Sequence, residues 1–162
     1  MCKLTFENLI NFTNALVNAI EEDQLNLTST QWKTLDDELA KARFYLMVNP
    51  DKADDNQSDF TEDDFLTVPD EDGLLKSLDR LVDVLQIDFK TAFDPSSELY
   101  KTVTDISTAF QTEVQLVAAG KPTSQTELRD LRNRTVQVIQ LIRRNKLGKK
   151  SENTTDNEDN NE

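Results

Sequence analysis

The chain has 162 residues, 31 acidic against 18 basic side chains, a formal net charge of -13 and no histidine. Without histidine the commonest general base, the commonest metal ligand and the usual physiological-pH switch are missing, and a single cysteine, Cys2, supplies neither an internal disulfide nor a zinc cluster. Three glycines leave no phosphate-cradling loop of Rossmann or P-loop type, so a non-enzymatic protein is expected, with no cofactor, no metal and no small-molecule substrate.

Apolar residues make up only 36% of the chain, which points to a slim fold with unstructured segments. From Leu4 to Glu21, the residues Phe6, Leu9, Ile10, Leu16, Val17 and Ile20 recur at three- and four-residue steps and predict a first helix. Glu7, Asn8, Asn11 and Asn14 make this stretch too polar for a signal peptide or membrane span. A cytoplasmic protein without membrane contact is the expectation. Thr28-Ser29-Thr30-Gln31 matches a capping box, in which the threonine hydroxyl takes an orphan backbone N–H and the glutamine reaches back. It opens a second helix carrying Trp32, Leu35, Leu39, Ala42 and Leu46 at alternating three- and four-residue steps, stopped by Asn49-Pro50.

Residues 51 to 72 contain ten carboxylates and one base, Lys52. Self-repulsion predicts an extended, solvated acidic loop over residues 50–72, with one helical turn near Phe60 to Leu66. Asp51, Asp55, Asp59 and Glu62 fall at the spacing of calcium-loop ligands. However, Ala53 takes a ligand position and Asn56 stands where the loop needs glycine, so a solvated linker is preferred. The adjacent pair Asp36-Asp37 has no histidine or base beside it and is given no acid-base role.

A third helix is expected from Gly73 to Phe89, with Leu74, Leu78, Leu81, Val82, Leu85 and Phe89 inward. Asp94-Pro95 suits a helix start. The fourth helix carries Leu99, Val103, Ile106, Phe110, Val114 and Val117 and is expected to end at Gly120, with Pro122 beyond. Ser124-Gln125-Thr126-Glu127 is a second capping box, opening a fifth helix with Leu128, Leu131, Val138, Ile139 and Ile142 inward that fades near Gly148. Residues 149–162 contain nothing to bury and are read as a disordered tail. The expected architecture is all-α: an antiparallel bundle of about five helices forming one domain over residues 1–148.

Charge is divided unevenly. Residues 1–120 hold 24 acids and nine bases, a net -15, whereas residues 121–150 hold nine bases and two acids, a net +7. On a helical wheel Arg129, Arg132, Arg143 and Arg144 collect on one flank beside Asn133, Gln137 and Gln140. Guanidinium forks suit phosphate oxygens or an acidic partner. The candidate contact residues are therefore Arg129, Arg132, Arg134, Arg143, Arg144 and Lys146. The competing reading is structural, with the arginines paired to acidic faces of neighbouring helices.

With its Leu/Ile-lined helices over residues 74 to 142 and the segment from Arg129-Asp130-Leu131-Arg132-Asn133-Arg134 to Arg143-Arg144-Asn145-Lys146, the chain resembles the small helical subunit of CRISPR effector complexes. That resemblance implies a non-catalytic protein lying along the belly of an effector and touching nucleic-acid backbone. The first functional expectation is accordingly a helical subunit of a nucleoprotein assembly, with other protein subunits and RNA or DNA backbone as partners. On this view charge reversal at Arg132 and Arg143 weakens nucleic-acid binding with little loss of fold. The second is an acidic inhibitor or adaptor of phage type, whose negative region mimics nucleic acid and covers a basic protein. On that view neutralising Asp59, Asp63 and Asp64 matters more. A third is a homo-oligomeric coiled bundle, since the heptads of helices two and four could also pair between chains.

Overall fold

The computed structural model describes residues 5–22, 27–55, 59–88, 96, 98–112, 117–118, 121–122 and 124–148. Six α-helices are present among them: α1 (Phe6–Glu21), α2 (Ser29–Glu38), α3 (Ala40–Phe44), α4 (Glu71–Asp88), α5 (Glu98–Thr112) and α6 (Gln125–Lys146). The protein is all-α, and with α2 and α3 counted as one broken helix it is the expected bundle of five. The Asp94-Pro95 cap and the tail fall outside the described residues. No helix among those described is long and apolar enough to cross a membrane.

Local chemistry sets the helix ends. The Thr28 hydroxyl accepts from the Gln31 amide at 3.1 Å while the Gln31 side chain accepts from the Thr28 amide at 2.9 Å. Ser124 and Glu127 repeat the reciprocal pair at α6, so both predicted capping boxes form. At the far end of α6, Gly148 adopts a φ of 81°, a left-handed geometry that costs glycine least.

Helix α6 is the axis of the bundle, packing along α1 and α2 and touching α4. α1 also lies on α5, and α4 lies between α3 and α5. The core is one cluster to which every helix contributes: Leu9, Phe12 and Leu16 from α1, Leu35 from α2, Leu74, Leu78 and Leu85 from α4, Val103 and Ile106 from α5, and Leu131, Val136 and Ile139 from α6. Burying a leucine of this kind contributes roughly 1.5–3 kcal/mol.

Three expectations are corrected. The second helix is not continuous. It breaks at Leu39, where the Asp36 carbonyl accepts from the Leu39 amide at 3.1 Å and from Arg43 Nη1 at 2.8 Å. A side chain thus takes a backbone acceptor that a straight helix reserves for its own ladder. The fourth helix is described to Thr112, not to Gly120, and Val117–Ala118 pairs antiparallel with Lys121–Pro122 in a two-residue ladder.

The third correction concerns the acidic loop, which is folded onto the bundle instead of extended into solvent. It forms 3-10 turns at Pro50–Asp54 and Glu62–Asp64, the second within the span where a helical turn was expected. Ala53, Phe60 and Phe65 are buried, and Met47 bridges Phe65 in antiparallel register. The Phe60 and Phe65 rings meet edge to face at 5.7 Å between centroids. Their apolar area, together with the hydrogen bonds described next, outweighs the repulsion among exposed carboxylates.

Candidate functional site

Three of the six bases of α6, Arg132, Arg143 and Arg144, meet the acidic segment. Asp36, at the C-terminal end of α2, has no solvent exposure. Its carboxylate accepts from Arg43 Nη1 at 3.3 Å, from Arg143 Nε at 3.1 and 3.2 Å, and from Lys146 Nζ at 3.2 Å. Lys146 also reaches Asp37 at 3.0 Å. The adjacent aspartates that lack basic neighbours in sequence therefore acquire three in space, brought from α3 and from the last turns of α6.

Each guanidinium also binds backbone of the loop. Arg43 donates from Nε and Nη2 to the Ala53 carbonyl at 3.2 and 2.8 Å, and Arg143 Nη2 donates to the Asp55 carbonyl at 2.7 Å. Loop carbonyls buried without a ladder partner need donors, and a planar fork with five N–H groups supplies several at once. The Phe60 ring lies 4.1 Å from the Arg143 guanidinium carbon and 5.2 Å from that of Arg43, so one aromatic side chain covers both cations. Burial pushes the Arg43 guanidinium below its ordinary value; Asp36 opposes this and Arg143 adds to it. Even so, arginine retains its proton in proteins, so Arg43 is a fixed charge, not a switch.

A second tether lies one end along. Arg132 Nε donates to the Leu66 carbonyl at 2.7 Å and Nη1 pairs with Glu62 at 2.9 Å, while Gln140 donates to the Phe60 carbonyl at 3.2 Å. Lys52 pairs with Asp64 at 2.7 Å across the loop. Burial pushes the Asp64 carboxyl up, but the Lys52 ammonium and the Thr61 amide and hydroxyl outweigh it and hold the group below its ordinary value.

The six candidate contact residues accordingly occupy different settings. Arg143 has no exposure and Arg132 has 5%, so neither stands on a free strip. Lys146 is held by Asp36 and Asp37, Arg134 donates to Asn14 Oδ1 on α1, and Arg144 stands 4.0 Å from Asp59. Only Arg129 of the six is exposed. The expectation that Arg132 and Arg143 tolerate charge reversal is corrected on these grounds, because reversal would bury like charges against Glu62 and Asp36. Asp64 is engaged by Lys52 within the loop and Asp59 stands near Arg144 of α6, leaving Asp63 as the exposed member of that trio.

Arg43, Asp36 and Phe60 form the centre of the site, and none was singled out from sequence as a partner of α6. One signal was present: Val136 and Leu141 lie outside the inward stripe assigned to the fifth helix, and both are buried. Apolar residues on the supposed polar side mark a helix covered on more than one face. The calcium-like spacing does not gather its ligands, and among the described residues no three acidic or sulfur side chains stand close enough to hold a metal ion. No family model, no curated protein and no solved structure matches the chain.

Proposed function

We propose that the protein is an acidic adaptor or inhibitor that binds a cationic protein surface. One observation carries this reading: Arg132, Arg143 and Lys146, half of the bases of α6, are paired or covered within the molecule by Asp36, Asp37, Glu62 and the loop carbonyls. Among the described residues, what faces water is therefore dominated by carboxylates, including Asp51, Asp54, Asp63 and Asp72. A net charge of -13 steers cationic partners and repels nucleic acid. A nucleoprotein subunit touching phosphates through α6 would have to rely on exposed Arg129, half-exposed Arg134 and, about 22 Å along the helix, half-exposed Arg144, a scattered footprint for backbone contact.

The test is a titration of the whole protein with a short fluorescent oligo-lysine peptide and, separately, with single- and double-stranded oligonucleotides at low and high salt. The peptide is expected to bind, to weaken as salt rises and to lose affinity in an Asp51→Asn, Asp63→Asn variant; the oligonucleotides are expected not to bind. Oligonucleotide binding that Arg129→Glu abolishes would replace this reading with the nucleoprotein one.

A further inference from the structure

Helix α4 is 18 residues long and its neighbour α3 only five, about 27 Å against about 8 Å. Beside the C-terminal half of α4, facing the junction of α2 and α3, lies an open cleft of 510 Å³. Arg80, Asp83, Val84 and Ile87 line it from α4, at helical spacing on one face. Asp37, Glu38, Ala40 and Lys41 line the opposite side, and Asp54 comes from the loop. A smaller hollow of 170 Å³ continues it past Arg80 to Phe44 and Tyr45.

Two features set this cleft apart from the rest of the acidic surface. Ile87 is 75% exposed and Phe44 52%, so a large apolar side chain stands near each end. Between them Asp37, Glu38, Asp54 and Asp83 stand with Lys41 and Arg80, and Asp37 is also held by Lys146. Just outside the lining, burial raises the Asp79 carboxyl above its ordinary value, with a further push from Asp83 one turn along and only partial relief from Arg80. Acids at that spacing on a helix repel, and a cation arriving on this flank relieves them.

We propose that the cleft between α3 and α4 seats a cationic amphipathic helix of a partner protein, with an apolar stripe covering Val84, Ile87 and Phe44 and with lysines or arginines meeting Asp54 and Asp83. The proposal rests on the reading of the protein as an acidic binder and locates its binding surface. A helix suits the site because Arg80, Asp83, Val84 and Ile87 repeat along one face of α4, the kind of surface an amphipathic partner meets in helix-in-groove recognition. A second copy of this chain suits it less, since its own excess of carboxylates would face those of the cleft.

The experiment compares two peptides of identical leucine and lysine composition, one ordered to give an amphipathic helix and the other shuffled to have no apolar face, each titrated into the whole protein. The ordered peptide is expected to bind about tenfold more tightly, a preference that Ile87→Ser removes while leaving affinity for the shuffled peptide unchanged. Asp54→Asn with Asp83→Asn weakens the ordered peptide further. Ile87 is exposed enough that its replacement leaves the fold intact, which circular dichroism checks. Equal binding of both peptides, insensitive to Ile87→Ser, overturns the cleft and leaves the acidic reading standing. Failure of both to bind overturns the acidic reading itself. A dimer by light scattering that Ile87→Ser dissolves overturns the cationic helix in favour of self-association.

Discussion

The surroundings of Asp36 and the cleft beside α4 are both rich in charge, yet they are built in opposite ways. Around Asp36 one buried carboxylate holds two guanidiniums and an ammonium, and the loop closes over them with its carbonyls and with Phe60. Along the cleft, carboxylates outnumber bases and stand in water next to exposed Ile87. In the first region opposite charges meet and fix the loop in place; in the second like charges gather and leave a surface open to a partner. Where the chain folds over a charge, and not how many charges it carries, decides whether that charge stabilises or recognises.

The sharpest way to break this contrast is Asp36→Ala. Removing the central carboxylate leaves buried Arg43 and Arg143 without their counter-charge and Lys146 with Asp37 alone, a loss expected to cost about 3–5 kcal/mol in urea unfolding, whereas Asp83→Ala in the cleft is expected to be neutral or slightly stabilising. A cost below about 1 kcal/mol for Asp36→Ala would mean that water reaches the cluster and that the two regions are alike. A smaller effect separates two arginines of the same helix. Arg132→Glu sets a carboxylate against Glu62 and the Leu66 carbonyl and is expected to lose about 2–3 kcal/mol, while Arg129→Glu stays within about 0.5 kcal/mol. Equal losses in chemical denaturation would show that burial does not distinguish them.

The smallest effect lies in pH. The Asp64 carboxyl is held below its ordinary value, so its contribution is fully present above the unfolded value near 3.9 and disappears as pH falls through the lower folded one. The difference in stability between the protein and its Lys52→Met variant, about 0.5–1 kcal/mol near neutrality, is therefore expected to shrink below about pH 4. Asp79 has the opposite sign: burial and Asp83 raise its carboxyl, which costs stability while ionised and not once protonated, so Asp79→Asn is expected to stabilise the protein near neutrality and to make no difference at low pH. A Lys52→Met difference that grew on acidification would contradict the pairing with Asp64.

Much of the fold was legible because its signals are local. The box from Thr28 to Gln31, the box from Ser124 to Glu127 and the leucine rows at 74, 78, 81 and 85 each specify an element from a few neighbouring residues. The site was not legible in the same way. Arg129, Arg132, Arg143 and Arg144 share a flank on a wheel, but a wheel does not show what covers that flank, and Asp36 approaches Arg143 from 107 positions away. The loop misled for a related reason: counting ten carboxylates predicts repulsion, while Phe60 and Phe65 draw it inward and the carbonyls of Ala53, Asp55, Phe60 and Leu66 take donors from α3 and α6. Main-chain oxygens carry no mark in a one-letter sequence.

The tie between Asp36 and Arg143 also sets an order of assembly. Contacts so distant along the chain form only after a large closure has been achieved, which slows their appearance relative to neighbouring pairs. During synthesis from the amino end, Arg43 and the stretch around Phe60 emerge long before the α6 residues that complete their environment. The last long helix is thus the keystone of the architecture: until it arrives, Asp36 has only Arg43 of its three cationic partners.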